Sequence, residues 1–167
     1  MPVPPALRIA ESAMLEVQPG DKRGFFILPQ APEGAGYYVY GTPGRGAGQY
    51  AHPNMMMPLL YVEREWQAVD DRQFGFGNIS LANGTAYGQH SARKSGLEVD
   101  IRPLRKDGLQ LPVDWYDRDY DQAETAKLIA LFRAHASARR VLFNDTHIPF
   151  VTPCKNHDHH LHLELRA

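Results

Sequence analysis

The chain has 167 residues, 43% apolar and 22% charged, the balance of one globular domain and not of a disordered segment. Lys plus Arg number 18 against 19 Asp plus Glu, so no basic excess exists to displace counterions from a phosphate backbone, which excludes a general nucleic-acid binder. No run approaches the ~18–20 uninterrupted apolar residues of a membrane span. The opening MPVPPALRIAESAMLEVQPG lacks the basic and apolar regions of a signal peptide, and Cys154, the one cysteine, excludes an intramolecular disulfide framework and a cysteine-based zinc finger.

In chain order, residues 1–30 read as an arm packing on the domain, Pro-rich at first and then with a short strand at Gly24–Leu28. Residues 31–53 are Gly-rich, irregular backbone with a Tyr-rich strand at Tyr37–Tyr40. Gly44-Arg45-Gly46-Ala47-Gly48 lacks the Gly-Lys-Ser/Thr ending of a phosphate loop and reads as a surface loop bordering a cleft. Pro58–Val69 is predicted to be a helix, with Leu59, Leu60, Glu63 and Trp66 at helical spacing and Met55–Met57 as a soft core plug before it. Phe74–Leu81 and Leu97–Pro103 read as strands, with a turn at Asn83-Gly84. Asp121–Ala136 is the best helix: Asp121 caps it, Glu124 sits at the capping-box position, and Leu128, Ile129 and Phe132 form its apolar face. Arg140–Phe143 and His160–Arg166 complete four or five short strands. The mixed order predicts an α+β fold, a single domain with a largely antiparallel central sheet flanked by helices and long loops. Trp66 and Trp115 are expected in the core, and His135 needs no role beyond favouring a helix C-terminus.

Five of the eight His fall in the last 21 residues: His147, His157, His159, His160 and His162. In His160-Leu161-His162-Leu163-Glu164-Leu165 the leucines share one face of a strand and the two His and Glu164 share the other. The strand at Leu97 repeats the design, with Leu97, Val99 and Ile101 on one face and Glu98 and Asp100 on the other. Side by side, the two strands would present Asp100 and His162 together, an oxygen and a nitrogen of the kind zinc takes. One further nitrogen would make a three-ligand site with an open fourth position, the arrangement of catalytic zinc. Taken singly, each His also fits an edge strand with a polar outer face, or a tail that collects adventitious metal.

GQHSARKSGLEVDI (Gly88–Ile101) and HDHHLHLEL (His157–Leu165) resemble the two signature segments of the penicillin-insensitive murein endopeptidases. That family belongs to a wider zinc-peptidase group with lysostaphin-type enzymes, D-Ala-D-Ala carboxypeptidases and hedgehog N-domains. YYVYGTPGRGAGQYAHPNMM is similar to the family's upstream region, so the resemblance covers about residues 30–165 and makes 31–167 a zinc-peptidase-like catalytic domain. By resemblance, Asp100 and His162 are zinc ligands, and Gly96 and Leu97 lead into the ligand strand. His160 is the first His of an H-x-H pair that assists proton transfer and stabilises the transition state. His157 is a further His near the metal, and His159 matches no role.

The chain departs from the family at Arg93, which stands seven positions before the Asp, where the first zinc-ligating His belongs. An arginine does not shed its proton and cannot ligate. His90 is the nearest substitute, since three loop residues supply up to ~10 Å of reach. His52, His147 and His157 are other candidates, and a degenerate site on a non-catalytic wall-binding relative is a further alternative. The resulting expectation is Zn2+ on His90, Asp100 and His162, catalytic His160 and His157, and substrate contacts from Tyr50 and Arg93. Tyr37, Tyr38 and Tyr40 are candidates to line the same cleft, and Arg45 to pair with a substrate carboxylate.

The implied reaction is zinc-assisted hydrolysis of amide bonds in the peptide stems or cross-links of peptidoglycan, with His160 carrying a proton. A metal-dependent dipeptidase or carboxypeptidase is the other catalytic reading. No H-E-x-x-H helix supplies a Glu base. Glu98 and Glu164 are candidates for that role or for facing solvent or orienting a ring, and Asp158 is a candidate to orient a His ring. A wall-directed enzyme would work in the periplasm or outside the cell. With no signal peptide visible, that implies a dedicated secretion or lysis route, or a domain cut from a larger secreted protein.

Overall fold

The computed structural model describes residues 20–86 and 95–167. Its main sheet has six strands in the order β2 (Tyr37–Val39), β4 (Phe74–Phe76), β5 (Glu98–Arg102), β8 (Leu161–Leu165), β6 (Ala138–Leu142) and β7 (Val151–Thr152). The inner four are antiparallel to one another, and the outer two join in parallel. A second, two-stranded antiparallel sheet pairs β1 (Phe26–Ile27) with β3 (Tyr50–Ala51), which ties the start of the described chain to the body. Two helices, α1 (Pro53–Gln67) and α2 (Gln122–His135), complete the α+β fold expected from the sequence. No helix among the described residues is long and apolar enough to cross a membrane.

The helices cover one face of the sheet. Trp66 of α1 and Phe132 of α2 both meet the ring of Phe74 edge-on, with centroids 6.2 and 6.1 Å away. Val99, Ile101, Leu161 and Leu163 are buried on this side, as their alternation predicts. The other face collects what alternation leaves: Tyr38, Gly75, Arg102, Asp100, Glu98, His162, Glu164 and Arg140, related by the pairings Tyr38↔Gly75, Gly75↔Arg102, Asp100↔His162, Glu98↔Glu164 and Arg140↔Glu164.

Several boundaries differ from those predicted. α1 begins at Pro53, five residues before Pro58, because His52 supplies a cap: its Nδ1 accepts the Asn54 N–H at 2.9 Å, and Pro53 occupies the first helical position. Pro58 is thus inside the helix, where it forgoes one hydrogen bond near the first turn. Of the three methionines only Met55 is fully buried, in line with Leu59, Val62 and Trp66, whereas Met57 faces solvent. The strand predicted over Phe74–Leu81 is regular only to Phe76. Beyond it Gly77 and Asn78 still bond to the backbone of Asp100, and Ser80 to that of Tyr50, so the segment is spent bridging the two sheets. β3 and β7 have two residues each, too short to leave a period in the sequence. α2 starts as predicted: Asp121 accepts the Glu124 N–H at 3.1 Å, although its own N–H goes to the Leu104 carbonyl and not to the Glu124 side chain.

Candidate metal centre

Asp100 is held by its backbone on the β4 side. Its N–H donates to the Asn78 carbonyl at 3.1 Å, and its carbonyl accepts the Gly77 N–H at 2.8 Å. Leu165 N–H in turn donates to the Leu97 carbonyl at 2.9 Å. In an antiparallel ladder these bonds alternate, so Asp100 and His162 form a non-hydrogen-bonded pair, the kind whose facing Cα atoms approach to ~4.5 Å and whose side chains lie closest. Register alone therefore presses the two side chains together. His162 Nδ1 lies 3.3 Å from Asp100 Oδ1.

The other ring nitrogen, His162 Nε2, lies 2.9 Å from Glu98 Oε1. Both carboxylates and the imidazole are buried. If Nε2–H donates to Glu98, the neutral ring turns its Nδ1 lone pair toward the Asp100 oxygen. Two lone pairs facing at that distance need a proton or a cation between them. Tetrahedral zinc, with ligands at ~2.0–2.2 Å, spaces neighbouring donors by roughly 3.3–3.5 Å. The pair therefore fits a zinc ion chemically and in spacing, with Glu98 as the carboxylate that fixes the ring.

His160, immediately before β8, places Nε2 3.7 Å from the same Asp100 oxygen. Its Nδ1 is 3.0 Å from Nδ1 of His159, a residue with no expected role. The His157 ring lies 4.8 Å from that of His160 and 5.9 Å, edge-on, from that of His162. His157 Nδ1 is 2.8 Å from the Lys155 carbonyl. A carbonyl only accepts, so Nδ1 carries the proton and Nε2 is the basic nitrogen of the neutral ring. A cavity of about 380 Å3 opens beside these groups, lined by Tyr40, Asp100, Arg102, Pro112, His159 and His160.

Glu98, His162 and Glu164 form a second grouping with donor atoms within 4.8 Å of one another. Glu164, however, is bound by the guanidinium of Arg140. Burial pushes the Glu164 carboxyl up, but the Arg140 guanidinium, together with Glu98 and the His162 charge, outweighs it and holds the group below the ordinary glutamate range. A dication on this side would face Arg140, so the Asp100 side is the better cation site.

The remaining expected residues separate. His90 and Arg93 lie outside the described residues. Tyr50 sits in β3, with its N–H on the Ser80 carbonyl and its own carbonyl accepting the Ser80 hydroxyl, and is not a lining residue of the cavity. Tyr37 is a core residue whose hydroxyl donates to the Pro29 carbonyl at 2.6 Å, because it falls on the helix-covered face. His52 caps α1 and His147 lies against the buried Asp145 at 2.8 Å, so neither is spent on the cluster. Among the described residues Asp158 orients no His ring: its Oδ1 accepts from the Trp115 indole at 3.1 Å and from Asn144 at 2.8 Å, which locks the loop before β8. Trp115 is accordingly only partly buried. Arg102 was not anticipated. Continuing the two-residue alternation from Asp100 would have placed it on the same face.

No protein-family model and no curated protein matches this chain.

Proposed function

We propose that this protein is a zinc-dependent amide hydrolase acting on the peptide stems or cross-links of peptidoglycan. The observation that carries the reading is the approach of His162 Nδ1, at 3.3 Å, and His160 Nε2, at 3.7 Å, to Asp100 Oδ1, with Asp100 and His160 lining an open cavity. The substrate class rests on the resemblance of Gly88–Ile101 and His157–Leu165 to the murein endopeptidases. Asp100 and His162 would hold the ion, with His90 as third ligand. Zinc supplies Lewis acidity toward the scissile carbonyl and the attacking water. Glu98 keeps the His162 ring in one tautomer. His160, two residues before His162 and bordering the cavity, accepts the proton of the attacking water and returns it to the leaving amine. His157 packs against that ring at a tilt and steadies it. The place of action is the periplasm or the cell exterior.

The test is metal content together with release of muropeptides from purified sacculi. The wild-type chain should carry about one zinc and lose activity in chelator. His162→Ala and Asp100→Ala should each lose both metal and activity. His160→Ala should keep the metal and lose roughly 10²–10⁴-fold in turnover. Wild-type turnover in that variant would remove His160 from the reaction. A second reading is favoured by Arg93, which stands where the family has a ligating His: a wall-binding relative that carries no zinc and sediments with sacculi without cleaving them.

A further inference from the structure

The sheet face that carries Asp100 and His162 continues one alternation further to Arg102, a half-buried residue that lines the same cavity as Asp100 and His160. Its guanidinium carbon lies 3.9 Å from the centroid of the Tyr40 ring, and its charge offsets part of the rise that burial imposes on the Tyr38 hydroxyl. Two glycines make this stacking possible. Gly75 is the β4 residue opposite Arg102, and a Cβ there would meet the Tyr38 ring at 2.8 Å. A Cβ on Gly77 would come within 2.6 Å of the Tyr40 ring. The guanidinium is thus backed by an aromatic face and carried on a strand, which lowers the entropy lost when it binds a partner. Among the described residues no carboxylate forms an ion pair with Arg102, unlike Arg72, Arg105 and Arg140, each of which is paired. A guanidinium so oriented, with donors left over and a cavity before it, matches the forked geometry of a carboxylate.

We infer that Arg102 is a substrate-anchoring residue that binds a carboxylate on a residue flanking the scissile amide, so that the enzyme acts on acidic peptides in preference to their amides. This rests on the amide-hydrolase reading for the position of the bond cut. Residues two apart on a strand are ~6–7 Å apart, and an extended peptide advances ~3.3–3.6 Å per residue. A carboxylate on Arg102 therefore belongs to the residue next to the bond at Asp100 and His160, or to the one after it. The carboxylate comes either from a free C-terminus or from the α-carboxylate of a γ-linked acidic residue.

Titration calorimetry on the zinc-loaded protein separates these sources. One probe pair is N-acetyl-D-alanyl-D-alanine and its C-terminal amide. The other is a γ-glutamyl peptide with its α-carboxylate free or amidated. Wild type should bind the free acid of one pair about 10–100-fold more tightly than the amide. Arg102→Gln should bring that ratio to about one, and Arg102→Lys should keep part of it, as expected for a point charge replacing a fork. Equal binding of acid and amide by wild type in both pairs would overturn the inference, as would a preference that survives in Arg102→Gln. A chain that cleaves sacculi yet shows no preference refutes the anchor and leaves the hydrolase reading standing. A chain that cleaves nothing yet shows an Arg102-dependent preference refutes the hydrolase reading and supports the anchor.

Discussion

His162 has a carboxylate at each ring nitrogen, and the two do different work. Asp100 stands where a cation would be shared, and Glu98 stands where a ring N–H would be held. Removing a group that orients a ligating imidazole weakens metal affinity ~10–100-fold without removing a ligand. Glu98→Ala should therefore retain the fold and raise the zinc dissociation constant by that factor in a competitive chelator titration. An unchanged constant would move Glu98 out of the centre. The residue types were legible in the sequence because a two-residue alternation sorts His and Asp to one face. Which nitrogen faces which carboxylate was not, since it depends on ring rotation across two strands 62 and 64 positions apart. Asp158 shows the same limit: its neighbours in sequence are His, but its partners, Trp115 and Asn144, arrive from other loops.

At the scale of elements, the β5–β8 ladder depends on how β5 begins. Gly96 has φ +70°, and a Cβ there would come within 2.7 Å of the His52 amide nitrogen and 2.8 Å of the Phe25 ring. Gly96→Ala should destabilise the fold by more than ~1 kcal/mol in urea unfolding, since an unfavourable φ and a backbone clash act together. The start of α2 offers a milder test. Asp121 both caps the helix and binds the Arg72 guanidinium at 2.8 Å. Asp121→Ala should cost about 1 kcal/mol for the cap, read from the same unfolding curves. That cap was visible in the sequence because capping is local. The start of α1 was not, because Pro58 resembles a first helical residue and a His acting as cap leaves a weaker signature than Ser, Thr, Asp or Asn.

For the whole molecule, Asp21 and Asp145 are two of the carboxylates whose lowered pKa makes the fold sensitive to acid. Burial pushes the Asp21 carboxyl up, but the Arg23 guanidinium and the backbone N–H groups of Asn83, Phe25 and Arg23 outweigh it and hold the group at about 2. Asp145 is fully buried, and burial likewise raises it. The Tyr120 hydroxyl at 2.6 Å, His147 and Gln122 outweigh that and leave it lowered. Both folded values lie below the unfolded value of ~3.9. Their stabilisation is therefore complete above about pH 5 and is lost as pH falls from about 4 toward 2. Urea midpoints measured across that range should decline with acid, and Asp21→Asn should lower the midpoint at pH 7 and flatten the decline. Tyr120→Phe, which strips a donor from a buried carboxylate, should cost ~1–3 kcal/mol at neutral pH.

The sequence by itself determined the α+β class, the two amphipathic strands and the capped second helix, because each follows from local periodicity, and it made Asp100 and His162 a pair only on the condition that their strands lie side by side. Only the tertiary structure decided the sheet order, the register that makes Asp100 and His162 a close pair, the binding of Glu164 by Arg140 and the stacking of Arg102 on Tyr40. Those depend on contacts between segments distant along the chain, whose energies are settled by packing and charge in three dimensions and leave no period in the order of residues.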